Sequence, residues 1–365
     1  MAEEKTLDTQ ALLEEYGKFA TFMAESKELT ALREEVRNHR IAPTPRDLLY
    51  REHSVAVYRY RRDKPPRLTT PMLVVPSLVN KPFVMDMLEG ESFVGAMLER
   101  GLDVFIIEWG EPTPGQKRLS LDHYVNHYLG RAVRRIQRLT GAGGVTIAGY
   151  CLGGSLSLLH AACDGGERVR NLITMVTPVN FEDRGMLSWW SKKEHLNIDK
   201  VVDTYGNVPA DFFSSSFPWL VPTASLVKAR TVFERHQDRK FMESFMALDI
   251  WATENTPFPG EAYRQIIKLG YQENVLRNTG EWNLGERVAR LADVKMPVLN
   301  LAAKYDHISP VESCTILGEL VASRDTTTKT YDASHLGIAL GKDIKGVPTT
   351  EYWDDIATWL RAHDR

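Results

Sequence analysis

Two rhythms of apolar and polar positions divide the chain. From Ser54 onward, short apolar or β-branched runs recur at residues 55–60, 72–75, 103–107, 145–148, 172–176, 297–303 and 328–331. Runs of this length bounded by Gly and Pro predict strands, and their near-continuous apolar character predicts burial on both faces. Between them, residues 93–98, 121–139, 152–163, 311–322 and 351–363 carry apolar positions three and four apart, which predicts covering helices. Strand and helix alternating at this cadence predict a mostly parallel α/β sheet with helices on both faces.

The cadence is interrupted twice. Residues 8–39 place Leu12, Leu13, Tyr16, Phe19, Phe22 and Met23 at helical spacing among charges, predicting one or two amphipathic helices outside the sheet. Residues 181–291 show no strand pattern and are rich in aromatics, with Trp189, Trp190, Tyr205, Phe212, Phe213, Phe217 and Trp219, and helical stretches near 225–245 and 259–269. Roughly 110 residues are too many for a loop. The expected organisation is an N-terminal helical segment over 1–45, a core over 46–180 and 292–365, and an inserted cap, or lid, over 181–291. Most cap aromatics are expected to form its own small core, with a mobile segment somewhere in 180–220.

Composition narrows the choice only a little. The 365 residues carry a net charge of −3, with no basic patch for nucleic acid and no acidic tail. No apolar run approaches the roughly 18 residues of a membrane span, and the start M-A-E-E-K-T-L-D lacks a signal-peptide pattern. Three cysteines, Cys151, Cys163 and Cys314, without paired spacing predict reduced thiols in a cytoplasmic setting.

The chemistry centres on V-T-I-A-G-Y-C-L-G-G-S-L-S-L-L-H-A-A-C, residues 145–163. A buried strand runs through Gly149-Tyr150-Cys151-Leu152-Gly153-Gly154 into an apolar helix. This is the glycine pattern of a nucleophile elbow, with cysteine in the nucleophile's place. Residues two before and two after the nucleophile must lack bulk, and the free N–H groups of the helix start favour a thiolate. An α/β-hydrolase sheet presents nucleophile, acid and histidine in that chain order, each after a strand. Asp306, in A-A-K-Y-D-H-I-S-P, follows the strand at 297–303; His335, in Y-D-A-S-H-L-G-I, follows the strand at 328–331. Cys151, Asp306 and His335 are therefore the expected triad. The oxyanion hole is assigned to the backbone amides of Leu152 and of Val79, in V-P-S-L-V-N-K.

Competing candidates are weaker. His307 points elsewhere if Asp306 is in line, Asp332 is expected to cap a turn, and Glu108 to be structural. His123 and His127 stand four apart but lack a third ligand in view. Cys163 and Cys314 read as small core residues. Lys81 is a candidate for substrate phosphates with no motif behind it.

Taken together, V-V-P-S-L-V-N-K, D-V-F-I-I-E-W-G, G-Y-C-L-G-G, N-I-D-K-V-V-D-T-Y-G-N-V-P, W-N-L-G, M-P-V-L-N-L-A-A-K-Y-D-H-I-S-P and S-H-L-G resemble the polyhydroxyalkanoate synthases from about residue 45 onward. Glu108 stands where that family usually has Asp. The resemblance implies polymerisation of (R)-3-hydroxyacyl-CoA into polyester through an acyl-cysteine on Cys151, with His335 as base and Asp306 as its acid. CoA is then the leaving group of the substrate, and no cofactor or metal is expected. The resemblance also implies the short two-component type with a small accessory subunit, a homodimer, and location in the cytoplasm at the surface of polyester granules. Chemistry points the same way: an acyl group moved from CoA to cysteine remains a thioester, activated for a second transfer. Two readings stay open, a cysteine hydrolase of the dienelactone-hydrolase type and a non-catalytic granule-associated relative.

Overall fold

The computed structural model describes residues 10, 14, 17, 18, 21, 22 and 26–364. Of the N-terminal apolar positions, Leu12, Leu13, Tyr16, Phe19 and Met23 lie outside the described residues. Helix α1 (Lys27–His39) is N-capped by Ser26, whose hydroxyl accepts from the Leu29 amide.

Among the described residues, eight strands form the main sheet: β1 (Arg46–Glu52), β2 (Val55–Tyr60), β3 (Met72–Val75), β4 (Val104–Glu108), β5 (Val145–Tyr150), β6 (Val169–Met175), β9 (Val298–Ala303) and β10 (Thr326–Tyr331). Their order is β1-β2-β4-β3-β5-β6-β9-β10. β1 and β2 pair antiparallel with their neighbours, and the rest run parallel. β1 was not legible in the pattern, because this half-exposed, bulged edge strand, R-D-L-L-Y-R-E, keeps charges on it.

The pleat decides the two cores. Leu73, Val75, Phe105, Ile107, Val145 and Ile147 enter the cluster on one face of the sheet. Met72, Val74, Val104, Ile106 and Ala148 enter the cluster on the other. Successive side chains point to opposite faces, so a strand buried on both must be apolar at every position. Helices α2 (Phe93–Glu99), α3 (Gly130–Thr140) and α4 (Leu152–Asp164) cover the first half; the expected helix at 121–139 begins as a π-helical stretch, His123–Leu129.

Between β6 and β9 lie α5 (Met186–Ser191), α6 (Ile198–Tyr205), α7 (Ala210–Ser216), α8 (Ala224–Arg235), α9 (Arg239–Thr253), α10 (Gly260–Gln265), a π-helical stretch, Ile266–Gln272, and α11 (Val275–Thr279). Here one expectation fails: a hairpin, β7 (Glu281–Leu284) and β8 (Arg287–Arg290), occupies the stretch read as strandless. Trp282 and Leu284 are buried while Glu281 and Asn283 are exposed, so the alternation was present around the Gly285-Glu286 turn. The hairpin packs against α4. Its buried residues join the core cluster of the sheet. Phe213 and Phe258 are buried with centroids 5.5 and 5.2 Å from that of Tyr263, but they join the core cluster of the sheet, and Trp189, Tyr205 and Trp219 are exposed, so the expected separate cap core is not formed.

After β9, the helix expected over 311–322 is broken into α12 (Val311–Thr315) and α13 (Leu317–Leu320). A helix not read from the pattern, α14 (His335–Leu340), follows β10, and α15 (Glu351–Ala362) closes the chain.

Candidate active site

Cys151 sits between β5 and α4 with φ 54° and ψ −130°, a backbone state that a non-glycine residue adopts at a cost of about 1–3 kcal/mol. The turn is over-determined by its neighbours. The Cys151 amide donates to the Met175 carbonyl at 2.9 Å, and the Gly154 amide donates to the Cys151 carbonyl at 2.8 Å. The flanking glycines are needed for space. A Cβ on Gly153 would strike the carbonyl oxygens of Val75 and Pro76, one on Gly149 would strike Gly154, and one on Gly154 would strike Thr177.

Asp306 and His335 follow the ends of β9 and β10, neighbours in the sheet, so strand order alone brings them together. Asp306 Oδ1 accepts from the Ile308 and Ser309 amides at 2.8 and 2.9 Å, and Oδ2 faces His335 Nδ1 at 2.7 Å. With Nδ1 committed to Asp306, Nε2 is the ring nitrogen left for Cys151, whose side chain acts on the imidazole electrostatically. Ser334 N-caps α14, its hydroxyl accepting from Gly337, and fixes the backbone of the histidine. Tyr150, buried beside the nucleophile, donates its hydroxyl to the His335 carbonyl at 3.1 Å. Burial opposes charge on His335, but the Asp306 carboxylate, the Cys151 side chain and the hydrogen bond to Asp306 outweigh it and hold the imidazole up at about 10.

Leu152 is the first residue of α4, so its amide has no intrahelical partner. The Val79 amide donates to Ser77 Oγ at 3.3 Å, while the Val79 carbonyl accepts from the Thr256 amide at 2.9 Å. An oxyanion reaching Val79 therefore has to take the place of the Ser77 hydroxyl. From the insertion, the Tyr271 ring stacks edge-on with Phe181 at 5.0 Å, and burial followed by the Cys151 charge raises its hydroxyl. Asp183 is pushed up to about 6, chiefly by burial, against a hydrogen bond from the Gly185 amide and with help from Glu312 and Asp306.

The remaining candidates are placed elsewhere. His307 is exposed, and Asp332 pairs with Lys304 at the surface at 3.1 Å. Glu108 pairs with Arg46 at 3.0 Å, and His127 with Glu52 at 3.0 Å. Lys81 is neutralised by Glu254 at 3.2 Å, and Cys314 is buried with its thiol toward the Ser309 carbonyl. Cys163, half-buried, is raised by burial. Among the described residues, no group of three or more His, Cys, Asp or Glu side chains could hold a metal ion, and no helix is long and apolar enough to cross a membrane. Sequence reasoning missed Tyr150, Ser77 and Thr256. A tyrosine next to the nucleophile was visible, but its partner is 185 positions away.

Residues 70–341 match the family described as the alpha/beta hydrolase fold. The chain is 34% identical over 321 residues to the poly(3-hydroxyalkanoate) polymerase subunit PhaC of Allochromatium vinosum, covering 87% of this chain and 88% of that one. To the subunit of the same name from Synechocystis sp. it is 34% identical over 325 residues, covering 87% and 84%. To that of Haloferax mediterranei it is 30% identical over 322 residues, spanning 64% of that longer protein and 88% of its own length. Among solved structures, the chain is similar to a monoacylglycerol lipase of Paleococcus ferrophilus, with TM-score 0.50, 14% identity and coverage of 84% and 99%. An esterase of Thermogutta terrifontis gives TM-score 0.50, 14% identity and coverage of 88% and 100%. At those identities the likeness is one of fold.

Proposed function

The chain belongs to the poly(3-hydroxyalkanoate) polymerase PhaC family on the α/β-hydrolase fold, and we propose that it polymerises (R)-3-hydroxyacyl-CoA through an acyl-cysteine on Cys151. The observation that carries the proposal is the alignment of Cys151, His335 and Asp306 at the strained turn, with Asp306 fixed by two amides behind the imidazole.

In this reading the Cys151 proton passes to His335 as the sulfur attacks. The Cys151 sulfur attacks the thioester carbonyl, the carbon–sulfur bond to CoA breaks, and the departing CoA thiolate takes the proton from His335. Acylation removes the electrostatic support that the Cys151 side chain gives the protonated histidine. The imidazole is then easier to keep neutral and can take the proton of an incoming hydroxyl, whose oxygen attacks the acyl-cysteine and frees Sγ. Asp306 holds the ring and its Nδ1 proton through both steps. The Leu152 amide and, once released from Ser77, the Val79 amide hold the oxyanion. The insertion excludes water, the competing nucleophile, and must open to admit substrate. The reading includes a homodimer, a small accessory subunit and work at the surface of polyester granules.

The test follows CoA release from 3-hydroxybutyryl-CoA by the chain with and without candidate small subunits, and assays polymer and free hydroxy acid separately. The expected result is polymer, abolished in Cys151→Ala. Free acid without polymer overturns the synthase reading in favour of a hydrolase.

A further inference from the structure

The loop that carries Val79 is held from the far side of the insertion. Thr256 uses both of its donors on it: its amide bonds the Val79 carbonyl at 2.9 Å, and its hydroxyl lies 3.0 and 3.1 Å from the Leu78 and Val79 carbonyls. Next to it, Asn255 and Asn80 form an antiparallel bridge and a side-chain hydrogen bond. Asn255 Nδ2 also reaches Ser214 Oγ on α7 at 2.8 Å, and the Trp251 indole donates to the Lys81 carbonyl at 3.0 Å. Glu254 bridges Lys81, at 3.2 Å, to Arg37 on α1. Thr256 and Asn255 are each more than nine-tenths buried, so these bonds are shielded from water.

The carbonyls of Leu78, Val79 and Lys81 and the side chain of Asn80 are thus bonded across to residues 251–256, the end of α9 and the segment after it. The other wall of the loop is fixed differently: Trp109 donates to the Pro76 carbonyl at 2.9 Å, and Gly153 packs on Val75 and Pro76. The amide of Val79 therefore takes its direction from the insertion, whereas that of Leu152 takes its direction from the sheet. A peptide plane is rigid, so fixing one carbonyl fixes the amide bonded to it. The Val79 carbonyl bond orients the Val79–Asn80 peptide, and the Leu78 carbonyl bond orients the peptide whose N–H belongs to Val79.

We propose that Thr256 is a positioning residue: through the Leu78 carbonyl it aims the Val79 amide, so that the oxyanion hole is complete only while segment 251–256 is docked on the loop. This rests on the acyl-transfer reading above and adds to it a dependence of chemistry on the docked insertion. Opening the insertion then disarms Cys151 for acyl transfer while leaving its sulfur nucleophilic.

The experiment compares Thr256→Val, which removes the hydroxyl bond and preserves shape, with Thr256→Ser, which restores it. Two rates are read on the full chain: the nitrophenolate burst from p-nitrophenyl butyrate, which needs an oxyanion hole, and alkylation of Cys151 by iodoacetamide, which does not. In the burst, Sγ bonds the acyl carbon as the ester C–O bond breaks and nitrophenolate leaves. The expected result for Thr256→Val is a limiting acylation rate lower by about tenfold with KM within about twofold, alkylation unchanged, and recovery in Thr256→Ser. A change in KM alone, or a parallel loss of alkylation, overturns the proposal in favour of simple packing. An unchanged burst overturns it outright while leaving the acyl-transfer reading intact. A wild-type chain that is alkylated at Cys151 but gives no burst overturns both.

Discussion

The Tyr150 hydroxyl donates to the carbonyl oxygen of His335 at 3.1 Å, and the tyrosine ring lies 5.2 Å from the imidazole, tilted by 59°. The residue before Cys151 thus buttresses the candidate base. The tyrosine is buried, and removing its hydroxyl leaves the His335 carbonyl short of a donor. Tyr150→Phe is expected to lose about 1 kcal/mol of stability and to lower the acylation rate several-fold, with KM unchanged. Denaturant titration and single-turnover acylation check the two effects. An acylation rate equal to wild type would remove Tyr150 from the site's support.

The elbow glycines make a prediction about space. Gly153→Ala sets a methyl group against two backbone carbonyls, whereas Gly154→Ala meets the Thr177 side chain, whose rotation relieves the contact only in part because its Cβ also lies at 2.8 Å. Both changes are overpacking, with an expected cost of about 1–3 kcal/mol, and Gly153→Ala is expected to be the more costly. Thermal unfolding of the two variants reads the order. Gly154→Ala combined with Thr177→Ser is expected to recover part of the loss.

His335 links stability to pH. Its folded value, raised to about 10 from 6.5, means that the folded state holds the proton more tightly than the unfolded state. That contribution is fully present below pH 6.5 and is lost as pH rises through about 10. His335→Gln cannot hold the charge, so its melting temperature is expected to fall below wild type by most near neutral and acid pH, with the gap shrinking toward pH 10. A gap constant across that range contradicts the raised His335 value. Cys151→Ala is expected to lower the His335 value, since it removes an electrostatic partner of the proton.

Helix α1 is fastened to α9 and its neighbours by ion pairs: Arg33–Asp249 at 3.5 Å, Glu35–Arg239 at 2.8 Å, Arg40–Glu243 at 3.8 Å and Arg37–Glu254. These pairs are partly exposed, so salt screens them, while the apolar contacts of Leu29 and Val36 remain. Hydrogen exchange over residues 27–39 is expected to quicken between low salt and about 1 M, with β5 and β9 unaffected. Equal protection at both ionic strengths would place the hold in the apolar contacts.

The sequence by itself determined the strand–helix cadence, the strand–turn–helix around Cys151 and the three candidate groups, Cys151, Asp306 and His335. Each of these is written locally: continuous apolar runs for two-sided burial, glycines where backbone passes within contact of backbone, and an acid and a histidine after the strands that carry them. The hairpin at Glu281–Arg290 was also legible as alternation about Gly285-Glu286, but it was hidden inside a stretch dominated by aromatics. Only the tertiary structure decided what the local pattern cannot carry. Tyr150 reaches His335, Thr256 reaches Leu78 and Val79, and Glu254 joins Lys81 to Arg37 across separations that leave no periodic trace. A hydrogen bond between distant segments needs one donor and one acceptor in register, and most of the acceptors here are backbone carbonyls, which every residue has. The sequence therefore marks the candidate side chains for chemistry, and the packing of the insertion on the sheet decides how the backbone around them is aimed.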